Sequence, residues 1–301
     1  MHIPNLKKMD DKFKVTGICT RSGMTALQTA KLFDSCRGYT KIEEILSKEI
    51  DAVMISTRHD THAEFAIKAL EAGKAVFVEK PMCITRNEYE KLCAVVENTN
   101  APFMVGYNRR FSPFAEKIHQ NLQNRVNPLI LQYTMNAGYI PYSSWIHSDE
   151  GGGRIIGEAC HIIDLFRYLV GSSVVSISVD ALESKTLSVR SDDNAVATIK
   201  YEDGSLGTIL YTSIGSKKTE KETLKVFCDE QVYELNDYIS LKTYGNATGF
   251  SLKKQDKGHL KELGVFSRSI INGQRFPIPW NELKETWEAT YQIAQKIRTE
   301  A

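Results

Sequence analysis

The stretch DAVMISTRHDTHAEFAIKALEAGKAVFVEKP, residues 51–81, decides the fold. It opens on the run AVMI, whose unbroken apolar character suits a strand covered on both faces. A segment with helical spacing follows, starting near Thr61 and stopping at Gly73, where a helix C-terminus favours glycine. A second apolar run, AVFV, then ends abruptly in Glu79, Lys80 and Pro81. Strand, helix and strand over this length form a βαβ unit, which joins parallel strands by a right-handed crossover.

The same grammar extends in both directions. Upstream, KFKVTGICT reads as a strand ending at Cys19 and Thr20, followed by the helix GMTALQTAKLFDS and the short helix IEEILSK. Downstream come the helix RNEYEKLCAVVENT and the strand APFMVGY. Alternation of this kind predicts a doubly wound parallel sheet, whose ligands bind outside the carboxyl ends of the strands. Thr20, Thr57, Lys80 and Asn108 all lie at such ends. After about Phe111 the pattern changes. A helix over 113–124 leads to the alternating strand PLILQYTMNAGY and a glycine-led helix over about 151–170. Strand-like segments follow (VVSISVDAL, NAVATIKYEDGSLGTILYTS with a turn at Asp203-Gly204, ETLKVFCDE and QVYELND), and helices over about 256–272 and 280–299 close the chain. The expected fold is α/β: an N-terminally truncated Rossmann-type parallel sheet over residues 1–110, followed over 111–301 by an α+β domain with an open, mostly antiparallel sheet.

Composition narrows the function. The chain has 301 residues, 42 % hydrophobic and 25 % charged, as expected of a two-domain globular protein. A net charge of +1 gives no field for nucleic acid or an anionic membrane. The six cysteines are scattered, without the close pairs of a zinc site, so no metal is expected and the thiols point to a reducing cytoplasm. The opening MHIPNLKKMDDKFK is too charged for a secretory signal, and no apolar run approaches a membrane span.

Three blocks, residues 51–81, VGYNRRFSPF and GGGRIIGEACHIIDL, stand in an order and spacing that resemble the glucose–fructose oxidoreductase / inositol dehydrogenase / MocA family. The resemblance covers most of the chain. It implies an NAD(P)-dependent oxidoreductase that transfers a hydride between nicotinamide and a secondary alcohol or ketone of a sugar, polyol or related small molecule. It also implies homo-oligomers assembled through the open sheet. By resemblance Lys80 is the catalytic lysine, and Pro81 holds it extended at the strand end. An ammonium there favours a developing alkoxide. His161 is the implied general acid/base; by helical spacing it shares a face with Gly157, Asp164 and Tyr168. The implied cofactor contacts are Thr20, Arg21, Ser22, Ser56, Thr57, His62, Glu79, Lys80 and Asn108. The implied substrate contacts are Arg109, Trp145, Arg154, Gly157 and His161. Arg154 is either a surface arginine or a fork for a carboxylate or phosphate on the substrate. Trp145 and Tyr142 either cover a sugar face or anchor their loop.

Two departures accompany the resemblance. Many relatives carry an aspartate one turn before the histidine, where this chain has Gly157. Glu158 is adjacent, but one helical residue is about 100° of rotation. Either Lys80 and His161 suffice, or the site is retuned for another substrate, or catalysis is lost. The form GGGRIIGEACH also resembles a subgroup fused behind a zinc-type alcohol dehydrogenase-like module. The second departure is the Gly-x-Gly-x-x-Gly turn that cradles a pyrophosphate, which is not found; MHIPNLKK matches the helix after it. The expectation is a missing central strand between those ending at Thr20 and Thr57, through a fragment, a mis-assigned start, a completing partner or a genuine loss. A non-catalytic ligand-binding or assembly module, or a fragment of a larger fused dehydrogenase, is the rival reading. For the cofactor, the strand KVTGICT ends without an acid and offers Thr20, Arg21 and Ser22, which favours NADP over NAD.

Overall fold

The computed structural model describes residues 2–186 and 189–300. Five short strands, β1 Gly17–Cys19, β2 Arg37–Tyr39, β3 Ala52–Ile55, β4 Ala75–Val78 and β5 Phe103–Val105, build the first part. They alternate with α1 His2–Lys7, α2 Gly23–Ala30, α3 Ile42–Leu46, α4 His62–Glu71 and α5 Arg86–Asn98. All pairings are parallel, but the strands fall into two sheets, β1-β2 and β3-β4-β5. Among the described residues no strand lies between them.

Local chemistry explains the elements. β2 escapes a pattern-based reading because it contains Arg37 and Gly38 rather than an apolar run. Its place depends on that glycine: a Cβ at Gly38 would lie 2.9 Å from the backbone of α2 at Ala26 and Leu27. Gly73 ends the α4 turn at φ +71°, as its position predicts. Thr61 does not cap α4 with its side chain, however. Its hydroxyl bonds Thr57 Oγ1 at 2.7 Å and Arg58 O at 2.9 Å, and so braces the loop beyond β3.

The second part is an eight-stranded sheet ordered β13-β12-β11-β10-β6-β9-β8-β7. Its strands are β6 Ile130–Asn136, β7 Val174–Ala181, β8 Ala195–Tyr201, β9 Leu206–Thr212, β10 Glu222–Cys228, β11 Gln231–Asn236, β12 Ser240–Tyr244 and β13 Phe250–Ser251. Only β6 and β9 pair in parallel. The helices are α6 Pro113–Leu122, α7 Cys160–Val170, α8 His259–Ile271 and α9 Trp280–Glu300. The glycine-led helix differs from expectation: Ile155–Ala159 is a π-turn, and the α-helix begins at Cys160. Phe166 of α7 presses on Gly207 of β9, where a Cβ would stand 2.5 Å from its ring.

Two apolar cores result, one against the β3-β4-β5 sheet and one against the eight-stranded sheet. Leu263 and Phe266 of α8 and Leu283 and Trp287 of α9 return to the first core, beneath Val76, Phe77 and Val78. The Trp287 ring stacks on Tyr89 at 4.0 Å, and its Nε1 donates to Cys83 O at 3.0 Å. The closing helices thereby bind the two parts together. Among the described residues no helix is long and apolar enough to cross a membrane.

Candidate active site

Lys80 stands two residues beyond β4, with a cis peptide to Pro81. Its Nζ donates to Gly157 O at 2.6 Å, which brings the end of the first sheet onto the π-turn. His161 begins the second turn of the segment behind that carbonyl, buried to 6 % exposure. Its Nδ1 is enclosed and has no hydrogen-bond partner among the described residues. Burial first, then the positive charges of Arg109 and Lys80, push its pKa well below the usual histidine range. The ring is therefore neutral and ready to accept a proton. A buried nitrogen without a partner is costly, so a polar ligand is the natural complement of this position.

The other predicted residues divide into exposed groups and groups already committed. Arg21, Ser22, Ser56 and Thr57 are exposed around the strand ends, and Thr20 is half-buried. Ser22 also caps α2. His62 has both ring nitrogens occupied, Nδ1 with Pro81 O at 2.7 Å and Nε2 with Thr57 O at 3.1 Å. It fixes the two strand-end loops rather than offering a free donor. The Glu79 carboxylate contacts His2 Nε2 at 2.5 Å. Burial raises its pKa, but His2 and Lys80 outweigh that and hold it below the usual range. The Asn108 amide donates to Lys257 O at 2.7 Å.

The arginines expected at the substrate are consumed by the protein. Arg109 Nε lies 2.7 Å from Glu222 Oε2, which also accepts from Tyr133 at 2.5 Å, while Lys257 bonds Oε1. Burial raises the Glu222 pKa, yet Arg109 and Lys257 bring it down to about 2. Arg109 reaches the site only as a field acting on His161. Arg154 is 3 % exposed and donates to Gly138 O at 2.6 Å, Ala137 O and Glu158, over the Tyr211 ring. It is neither a surface arginine nor an open fork, because the loop carbonyls of 137–138 and Glu158 hold its two terminal nitrogens and the remaining Nε is enclosed, without a partner among the described residues. Glu158 points away from the site as well, held by Tyr211 at 2.5 Å and Lys221 at 2.8 Å. It cannot stand in for a carboxylate at position 157.

Some residues at the site lie outside the sequence reading. His59, on the 3-10 turn His59–Thr61 after β3, packs on Gly157 and meets the Trp145 ring edge-on at 4.9 Å. Its position just past a strand end was the available signal. Glu262, in the first turn of α8, is fully buried with neither oxygen bonded among the described residues. Burial, then Glu79 and Asp164, raise its pKa well above the usual range, so the carboxyl is neutral. Tyr142 is half exposed beside Arg190 and contributes to the second unit's loop. Among the described residues no group of three or more His, Cys, Asp or Glu is placed to hold a metal.

Residues 1–107 match the family model described as an oxidoreductase family with an NAD-binding Rossmann fold, and residues 127–234 match the GFO/IDH/MocA C-terminal domain. The myo-inositol 2-dehydrogenase of Thermotoga maritima is 24 % identical over 297 residues, covering 91 % of this chain and 85 % of that protein. The scyllo-inositol 2-dehydrogenase (NAD(+)) of Bacillus subtilis is 31 % identical over 170 residues, 53 % of this chain and 48 % of its own length. That match therefore spans about half of the relative. A levoglucosan dehydrogenase solved with NADH and levoglucosan superposes with a TM-score of 0.83 at 20 % identity, covering all of this chain and 94 % of the other.

Proposed function

This chain is an oxidoreductase of the Gfo/Idh/MocA family, and from that premise we propose that it oxidises a secondary alcohol of a sugar, polyol or related small molecule with NADP ahead of NAD. The observation that carries this reading is that Lys80, bonded to Gly157 O, lies near enough to the neutral His161 for its charge to act on that imidazole. The residues fit a nicotinamide dinucleotide on one count in particular: exposed Arg21, Ser22, Ser56 and Thr57 surround the ends of parallel strands, one of which leads to the Lys80 ammonium. Thr20, Arg21, Ser22, Ser56 and Thr57 would hold it there. When bound, the dinucleotide supplies the hydride acceptor.

The chain's own residues do the rest. Lys80 stabilises negative charge on the substrate oxygen as the C–H bond breaks. His161 takes the hydroxyl proton at Nε2, the nitrogen that is not enclosed. His62 and Glu79 keep the Lys80 loop in place through Pro81 O and the Lys80 amide. Exposed Ile130, Leu206 and Phe227 on adjacent strands, with paired Val196 and Leu210, support assembly of like copies through the open sheet. Unpaired cysteines support a reducing, cytoplasmic setting.

The test is direct. NADP or NAD reduction is followed with myo-inositol, scyllo-inositol, glucose and levoglucosan, beside fluorescence titration with NADPH and NADH. Turnover of at least one alcohol with tighter NADPH binding is expected. Absence of both turnover and dinucleotide binding would favour the rival, a non-catalytic binding or assembly module; Gly157 is the feature that supports that rival.

A further inference from the structure

Building on the dehydrogenase reading, we propose that His59 is a substrate-binding residue whose Nε2 accepts a hydrogen bond from a hydroxyl of the polyol or sugar beside Lys80, and that Gly157 exists to admit its ring. The ring is fixed on one side. Its Nδ1 lies 2.8 Å from Gly151 O. A carbonyl only accepts, so Nδ1 carries the proton and Nε2 of the neutral ring presents a lone pair. Burial, with help from Lys80 and His62, lowers the pKa to about 4, so this acceptor persists at neutral pH.

Nothing among the described residues bonds Nε2, and it is not among the fully enclosed polar atoms. His62, whose ring lies 5.7 Å away, shows the contrast, with both nitrogens satisfied by carbonyls. The ring also lies in the right neighbourhood, its Cε1 and Nδ1 being the atoms nearest Gly157. A Cβ on residue 157 would stand 2.8 Å from His59 Cε1, the carbon bonded to both nitrogens, and Gly157 O is the acceptor for Lys80 Nζ. Imidazole and ammonium thus both contact one glycine, and the ring carries an acceptor where Lys80 carries donors, a pairing that suits neighbouring hydroxyls on a sugar or polyol. Trp145 supplies an apolar wall against the imidazole.

A purely mechanical role, in which Nδ1 ties the two parts of the chain, is the competing account. The tie is already made by neighbours: Asp60 N donates to Glu150 O at 3.1 Å and Arg58 pairs with the Glu150 carboxylate. The two roles separate by substitution, because an asparagine amide can take the place of Nδ1 while a glutamine reaches the place of Nε2. The probe is whichever of myo-inositol, scyllo-inositol, glucose and levoglucosan the parent oxidises fastest. His59→Asn should leave the melting temperature unchanged and kcat within a few-fold while raising KM for that probe about tenfold, the size of one hydrogen bond. His59→Gln should recover most of the loss, and Gly157→Ala should reproduce it by displacing the ring. An unchanged KM in His59→Asn, or a lowered melting temperature with no recovery by glutamine, overturns the proposal and leaves the dehydrogenase reading intact. A parent that oxidises none of the four and binds neither NADPH nor NADH overturns both.

Discussion

At the scale of single residues, the site rests on one amine and one imidazole. Lys80→Met removes the charge beside the substrate oxygen but keeps the length of the side chain. Its Nζ makes one hydrogen bond, to Gly157 O, so the fold should persist. The expected outcome is a fall in turnover of roughly 10²–10³, with an unchanged circular dichroism spectrum; turnover within a few-fold of the parent would remove Lys80 from the mechanism. Arg21 is exposed beside Thr20 and Ser22, after a strand without a terminal acid. Arg21→Asp should shift the ratio of kcat/KM values from NADP toward NAD, because an anion repels a 2′-phosphate and accepts from a 2′-hydroxyl. An unchanged ratio would show that Arg21 does not read that group.

At the scale of elements, the site is held where α7 meets the segment 108–111 and the start of α9. Arg110 is its pin: it bonds both oxygens of Asp164, at 2.9 and 2.6 Å, and Glu282 at 2.8 Å. Burial lifts the Asp164 pKa to about 6 even with Arg110 against it. Arg110→Met should destabilise the protein by about 3–5 kcal/mol, the usual cost of leaving a buried partner uncompensated. A urea midpoint close to that of the parent would mean that the junction relaxes around the change. The π-turn Ile155–Ala159 belongs to the same scale. It carries Gly157 O toward Lys80, Glu158 toward Tyr211 and Lys221, and Ile155 and Ile156 into the second core.

At the scale of the whole molecule, buried histidines set the response to acid. His59, His62, His161 and His259 all have pKa values lowered below 6.5, chiefly by burial. Each is neutral when folded and takes up a proton when unfolded, so each loses stability as pH falls below 6.5. Asp164 and Glu262 act in the opposite sense, since their raised pKa values give the folded chain the extra proton. His119 is lowered and Asp193 raised in the same way, so five histidines against three carboxyls leave the unfolded chain ahead between about pH 6.5 and 4.5, at about 1.4 kcal/mol per pH unit for each net proton. The melting temperature should therefore be nearly flat around pH 7 and fall steadily from pH 6 to 4.5. A rise over that interval would contradict the neutral state of these histidines.

The sequence by itself determined the fold class, and it offered Lys80 and His161 as the two anchors of the proposed site. Apolar runs at AVMI and AVFV, a glycine at the end of α4 and the alternation after residue 129 are local signals, and backbone geometry obeys them wherever they occur. The same periods put Lys80 at a strand end and His161 on a helix face, and the family resemblance suggested their roles. Only the tertiary structure decided which polar groups remain free. Arg109 and Arg154 look available in the sequence, but Glu222 lies 113 residues from Arg109, and loop carbonyls 16 and 17 residues away claim Arg154. His59 looked like an ordinary loop residue until packing set it against Gly157, 98 positions along the chain (157 less 59). Periodicity reports the face on which a side chain lies, whereas the partner it meets depends on distant chain brought close by burial of the two cores.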